Sequence, residues 1–260
     1  MRKKTIEAIR AHAIAAYPRE CCGLVVRVGR AERYLACDNQ ADSGGHFIIG
    51  GDDYAEAEEM GTVMAVVHSH PDEAAAPSEA DRVTCETSGV PWVIVEVRGD
   101  GQANAVAGEI RSIVPVGYRA PLVGRPFFHG VLDCYAVIRD WYSRERDIQL
   151  PDFEREDGWW NGDRELYLDN FAAAGFRKLA ADEVIQTGDV VLMQHMSRRV
   201  NHGGLYLGAA RLKTEVCDTH FMSDAMLHHL YGRPSEIVVY GGQWLEATHA
   251  VLRYSAAIAT

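Results

Sequence analysis

The chain has 260 residues, 47% hydrophobic and 24% charged, a globular composition long enough for two domains of ordinary size. A formal net charge of −11 argues against binding through phosphate neutralisation, so no nucleic-acid partner is expected. The six cysteines contain no Cys-x-x-Cys pair and are too few for a disulfide scaffold, and no apolar run reaches the length of a membrane span. The first residues are basic, but Glu7, Arg10 and His12 interrupt any apolar run behind them. An amphipathic helix is expected there, and no signal peptide.

Helical spacing covers Thr5 to Ala16, and Tyr17-Pro18 ends it. Glu20 and Cys21-Cys22 lead into a strand over 23–28, a turn at Gly29-Arg30 and a strand over 32–37. Both cysteines are read as core thiols. A short strand is predicted over 46–49, a helix over 52–60, and a buried strand over 62–67. Ser78 opens a helix reaching about Thr87. The apolar run 92–97 reads as a strand, and 103–110 as another. Strands and helices mix without a strict βαβ rhythm, so the expected fold class is α+β.

The stretch from His68 to Asp81 carries chemistry. Residues two apart on a strand share a face, so His68 and His70 aim both imidazoles at one spot. Pro71 is expected to stop the pairing, and an Ala-rich loop leads to Ser78 and to Asp81 in the first turn of the helix. Two imidazoles and a carboxylate can close on one small cation. Three protein ligands leave a fourth tetrahedral position for water, the arrangement of a catalytic zinc. Ser78-x-x-Asp81 is also close to a helix-capping pattern. His-x-His, seven residues, Ser, two residues, Asp resembles the JAMM motif of the JAB/MPN metallopeptidase family, and Glu20 before Gly23-Leu24 resembles its upstream glutamate. The resemblance implies a JAB/MPN-like mixed sheet with helices that cleaves amide or isopeptide bonds. It implies zinc (Zn2+) on His68, His70 and Asp81, with Glu20 relaying a proton from the activated water and Ser78 binding the oxyanion.

Residues 112–126 hold three prolines and two glycines without a helical period. They are read as a linker between domains 1–111 and 127–260. Asp133 is a plausible N-cap, which places Cys134 in the first turn of a helix, where a thiolate is stabilised. A buried structural cysteine is the plainer reading; a catalytic one needs a histidine from elsewhere in the chain. Asn201-His202-Gly203-Gly204 begins a strand, and Met226-Leu227-His228-His229 follows. Asp133-Cys134, Gly188-Asp189-Val190, Asn201-His202-x-Gly204 and Leu227-His228 together resemble the NlpC/P60 family of papain-like cysteine peptidases. That resemblance implies a second α+β domain with Cys134 as nucleophile, His202 as base and His228 as its orienting partner. The substrate it implies is the peptide cross-link of bacterial cell walls. The family has a short turn before its third residue, whereas Ala209 to Ala225 intervene here, which leaves His229 and His220 as alternatives. The 147–170 segment exceeds the minimal fold, and Trp159-Trp160 within it is assigned no role. His129, His195 and His249 fit no pattern.

The two families in one chain resemble the tail-tip assembly proteins of long-tailed bacteriophages, as do 228–235, 240–244 and 251–254. This implies other tail-tip proteins as partners, assembly in the host cytoplasm and a final place at the virion tail tip. It also implies a hydrolase acting on cell-wall peptides. The alternatives are a structural assembly factor with inactive or autoinhibited sites, and a bacterial JAMM deubiquitinase-like enzyme.

Overall fold

The computed structural model describes residues 1–42, 45–155, 158–159, 162–216 and 222–255. The chain divides into two compact units, Met1–Arg119 and Ala120–Thr260. Both combine helices with sheets, and the fold class is α+β.

The first unit comprises α1 (Lys3–Ala16), β1 (Cys22–Val28), β2 (Ala31–Cys37), α2 (Gly51–Met60), β3 (Thr62–Pro71), α3 (Glu79–Ser88), β4 (Trp92–Arg98) and β5 (Val106–Ile113). Its sheet order is β2-β1-β3-β4-β5, with β3 and β4 parallel and the other neighbours antiparallel. Both faces are covered. Val25, Val67, Val93 and Val95 pack with Ile9 and Ala13 of α1. Their chain neighbours Leu24, Val26, Val66 and Trp92 pack with Ala57 of α2 and Cys85 of α3. This two-sided burial explains why the strands read as continuous apolar runs without alternation.

Three segments differ from the expectation. Residues 46–49 form a loop and not a strand. The Asn39 side chain takes over the role of a ladder: its Oδ1 accepts from Ala41 and Ile48, and its Nδ2 donates to Glu20 and His46 carbonyls. The last strand starts at Val106 because 102–104 make a 3-10 turn, tied by the Asn104 side chain to Asp100. Pro71 belongs to the β3 ladder, opposite Val97, and the pairing ends there.

The second unit comprises α4 (Cys134–Arg146), α5 (Leu166–Asn170), β6 (Phe176–Lys178), β7 (Val190–Met193), β8 (His202–Gly208), β9 (Ala225–His228), β10 (Glu236–Val239), α6 (Gln243–Glu246) and β11 (Thr248–Tyr254). Its antiparallel sheet has the order β10-β9-β8-β7-β11-β6. Val137, Ile138, Trp141 and Tyr142 of α4 pack on Val190, Leu192, Leu205 and Leu227. Residues 120–126 are built into this unit. Arg125 is fully buried, and its carbonyl accepts from Ser235 N while Gly124 N donates to Ser235 O.

β1 can lie close against β2 because position 23 is a glycine. A Cβ at Gly23 would lie 2.5 Å from the Leu35 carbonyl oxygen and equally close to Tyr34 Oη. Backbone cannot give way as a flexible side chain can. Gly23→Ala should therefore destabilise the protein by about 1–3 kcal/mol, read as a lower urea midpoint.

Candidate metal and cysteine–histidine sites

The first site lies where β3 leaves the sheet. Antiparallel register pairs Cys22 with His68, and Ser69 N donates to Cys21 O at 3.2 Å. Continuing that register sets Glu20 beside His70. Strand alternation then puts Glu20, His68 and His70 on one face. α3 delivers Asp81 to the same place. Ser78 caps the helix by accepting from Asp81 N at 3.1 Å, and Ser78 N donates to Asp81 Oδ2 at 2.7 Å. The capping reading of this spacing and the ligand reading are thus both realised, because the cap is what orients the carboxylate. The Ser78 oxygen is occupied by the helix, and its hydrogen remains to donate.

His68 Nε2 and His70 Nε2 are 3.0 Å apart, and Asp81 oxygens lie 3.2 Å from His68 Nε2 and 3.5 Å from His70 Nε2. Ligands about 2.0–2.1 Å from a tetrahedral zinc stand roughly 3.3 Å from one another, so the spacing and donor set fit such an ion. His70 Nδ1 meets the Ala74 carbonyl at 3.0 Å and donates its hydrogen there, which leaves the Nε2 lone pair facing the carboxylate. His68 is held by rings: Phe47 stacks on it at 4.8 Å and Trp92 meets it edge-on at 5.4 Å. Phe47 was missed in the sequence because its loop carries no motif.

Electrostatics follow from this packing. Burial pushes the Asp81 carboxyl up, but the two histidines and the Ser78 N–H outweigh it and hold it well below the usual carboxylate range. Burial lowers His68. For His70 burial also acts downward, yet Asp81, the Ala74 carbonyl and Glu20 together raise it. Half-buried Glu20 is pushed up to about 8 by burial, with nearby Asp81 and Glu73 adding to it and His70 opposing. A carboxyl tuned near neutrality is suited to moving a proton. Cys21 and Cys22 are buried, and burial raises them to about 11 and about 12, as core thiols.

The second site is built at the N-terminus of α4. Asp133 is its buried N-cap: Oδ1 accepts from Tyr135 N and Ala136 N, and Oδ2 accepts from Gly130 N and from Arg155 Nε at 2.6 Å. Burial acts upward on Asp133, but Arg155 and the Ala136 N–H hold it low. The next residue is Cys134. Its Sγ lies 3.0 Å from Tyr167 Oη. β8 approaches this closely because position 203 is glycine; a Cβ there would meet Tyr167 Oη at 3.0 Å. Burial pushes the thiol up to about 11, with Asp133 adding and Tyr167, Gly203 and Arg155 opposing.

His202 opens β8, and His228 closes β9. His202 Nε2 and His228 Nδ1 are 2.9 Å apart, so Nδ1 of His202 is the nitrogen left for a thiol. Burial drives His202 well below the ordinary imidazole value and His228 to about 4, and the neighbouring histidines add to both shifts. Cys134 and His202 line one cavity of about 350 Å³, together with Arg155, Trp159, Tyr167 and His195. His129 and His195, which fit no pattern in the sequence, both lie on its wall. Trp244 stacks on His195 at 5.4 Å and meets His228 edge-on at 4.6 Å. His229 packs edge-on against Phe127 and also lines the cavity. His220, Cys217 and Trp160 lie outside the described residues. The long 209–225 segment leaves the hairpin at the end opposite His202, so it does not disturb the pairing of Gly204 with His228. Asp189 has a structural part: Arg253 binds both its oxygens, at 2.9 and 2.7 Å.

The first unit thus gathers His68, His70 and Asp81, and the second sets Cys134 and His202 on one cavity. The family "Prokaryotic homologs of the JAB domain" matches residues 2–110, and the NlpC/P60 family matches residues 124–253. Tail tip assembly protein K of Escherichia phage N15 is 40% identical over 257 residues, covering 98% of this chain and 96% of its own. Tail tip assembly protein K of Escherichia phage lambda is 35% identical over 205 residues, covering 79% of this chain and 88% of its own. The chain belongs to the family of tail tip assembly protein K.

A pH dependence follows for the metal-free protein. The Asp81 carboxyl lies below its unfolded value of about 3.9, so it contributes fully above that pH and the contribution is lost as the pH falls through the folded value. Urea midpoints measured with chelator should fall more steeply for the wild type than for Asp81→Asn once the pH drops below about 4.

Proposed function

We propose that the protein is a component of a phage tail tip whose second unit hydrolyses peptides of the bacterial cell wall. The observation that carries this reading is that His202, paired with His228, shares a cavity with Cys134 at a helix N-terminus. Cys134 is the nucleophile, His202 the base and His228 its orienting partner. At rest the thiol and imidazoles are neutral, since burial raises one and lowers the others. Once substrate fills the cavity, the thiol proton passes to His202 Nδ1 and sulfur attacks the peptide carbonyl. The C–N bond breaks, and the leaving amine takes the proton from His202. Water then attacks the thioester and gives a proton to His202; the C–S bond breaks, and His202 returns that proton to the departing sulfur. The Tyr167 hydroxyl, 3.0 Å from the sulfur, supports negative charge at the reacting centre.

For the first unit, we propose a zinc-dependent peptidase in which His68, His70 and Asp81 hold the ion. A bound zinc supplies Lewis acidity. Glu20, raised by burial, moves the proton, and the free hydrogen of the Ser78 hydroxyl binds the developing oxyanion. Other tail-tip proteins are the proposed partners, with assembly in the host cytoplasm and residence at the virion tail tip. The relatives' name, tail tip assembly protein K, supports this placement. A second reading rests on the raised thiol: a structural assembly factor in which Cys134 stays protonated.

A wall-digestion assay separates the two. Cys134→Ala and His202→Ala should each lower peptidoglycan clearing by at least about 10³-fold, and a chelator should leave clearing intact. Wild-type protein without thiol-dependent clearing would support the structural reading. For the metal site, elemental analysis should find near-stoichiometric zinc in the wild type and none in His68→Ala or Asp81→Ala.

A further inference from the structure

His228 is fully buried, and among the described residues its Nε2 has no hydrogen-bond partner. Its other nitrogen faces His202 Nε2 at 2.9 Å. One hydrogen lies between those two nitrogens, and which ring supplies it decides what His202 can do. If His228 Nδ1 carries the hydrogen, His202 Nε2 accepts it, and a neutral His202 must then be protonated at Nδ1. Such a ring cannot take a proton from a thiol at Nδ1. If His202 Nε2 carries the hydrogen, Nδ1 has its lone pair free. That second arrangement requires His228 to be protonated at Nε2, and a buried N–H needs an acceptor.

The fold supplies one. β10 pairs with β9 so that Glu236 lies opposite His228, on the same face of the sheet. Glu236 Oε1 is 3.7 Å from His228 Nε2. Glu236 is exposed enough for its side chain to swing, and roughly half an ångström closes the gap to a normal hydrogen bond. Trp244, which meets His228 edge-on at 4.6 Å, cannot replace it, because a tryptophan N–H only donates.

We propose that Glu236 is a positioning residue of the Cys–His site, accepting the Nε2 hydrogen of His228 and so fixing His202 as an Nδ1 base. The proposed relay runs from Cys134 to His202 Nδ1 across the cavity they share, from His202 Nε2–H to His228 Nδ1, and from His228 Nε2–H to Glu236. When the thiol proton reaches His202 Nδ1, no further proton moves, and the carboxylate offsets the imidazolium charge through His228. This deepens, and rests on, the reading of the second unit as a cysteine peptidase.

The test reads the tautomers directly, without activity. In imidazole-¹⁵N-labelled full-length protein at neutral pH, His228 should be protonated at Nε2 and His202 at Nε2. Glu236→Ala should shift His228 toward the Nδ1–H form and His202 with it, whereas Glu236→Gln, whose amide oxygen still accepts, should keep the wild-type pattern. Glu236 is partly exposed on an edge strand, so all variants are expected to fold, checked by circular dichroism. In the wall-digestion assay Glu236→Ala should lower kcat by about tenfold or more with little change in KM, and Glu236→Gln should restore most of it. A wild-type His228 protonated at Nδ1, or an unchanged spectrum in Glu236→Ala, would overturn the proposal. Absence of thiol-dependent clearing in the wild type, with the tautomers as expected, would instead count against the peptidase reading and leave the positioning role of Glu236 supported.

Discussion

A neutral imidazole has one nitrogen that donates and one that accepts, and whatever binds the first decides where the second points its lone pair. Both sites of this protein depend on that constraint. In the first unit a loop carbonyl, Ala74, takes the hydrogen of His70 and releases Nε2 toward Asp81. In the second unit the contact between His202 and His228 commits Nε2 and leaves Nδ1. The surrounding folds differ, but in each a strand end carries the histidine and a helix N-terminus carries its counterpart, Asp81 or Cys134.

The helix caps join stability to chemistry. Ser78 and Asp81 satisfy each other's backbone and side-chain groups, and the same carboxylate faces both imidazoles. Asp133 satisfies two N–H groups of α4 and is gripped by Arg155, which fixes the turn from which Cys134 projects. Removing either carboxylate would loosen a helix end and a reactive group together, so loss of function in such variants needs to be read alongside a measure of folding.

Much of this arrangement was readable from local pattern. Period-two spacing announced His68 and His70, capping signals placed Asp81 and Cys134 at helix starts, and the resemblance to NlpC/P60 peptidases singled out His202 and His228. What local pattern could not supply were partners distant in sequence. Tyr167 is 33 residues from the cysteine it touches. Phe47 lies in a loop that reads as a strand until Asn39 is seen to hold it. His129 and His195 carry no spacing signal, yet the folding of the chain brings both to the cavity wall. Strand boundaries also moved where a side chain displaced a ladder, as Asn104 does before β5.

The segment between β8 and β9 has its own consequence. It departs from the hairpin at the end remote from His202, and its approach is anchored by Glu145, which accepts from Lys213 N, Thr214 N and the Thr214 hydroxyl. Length can therefore be added or removed beyond that anchor while the two imidazoles keep their register. The hairpin thus separates the geometry of the pair from the length of its connection.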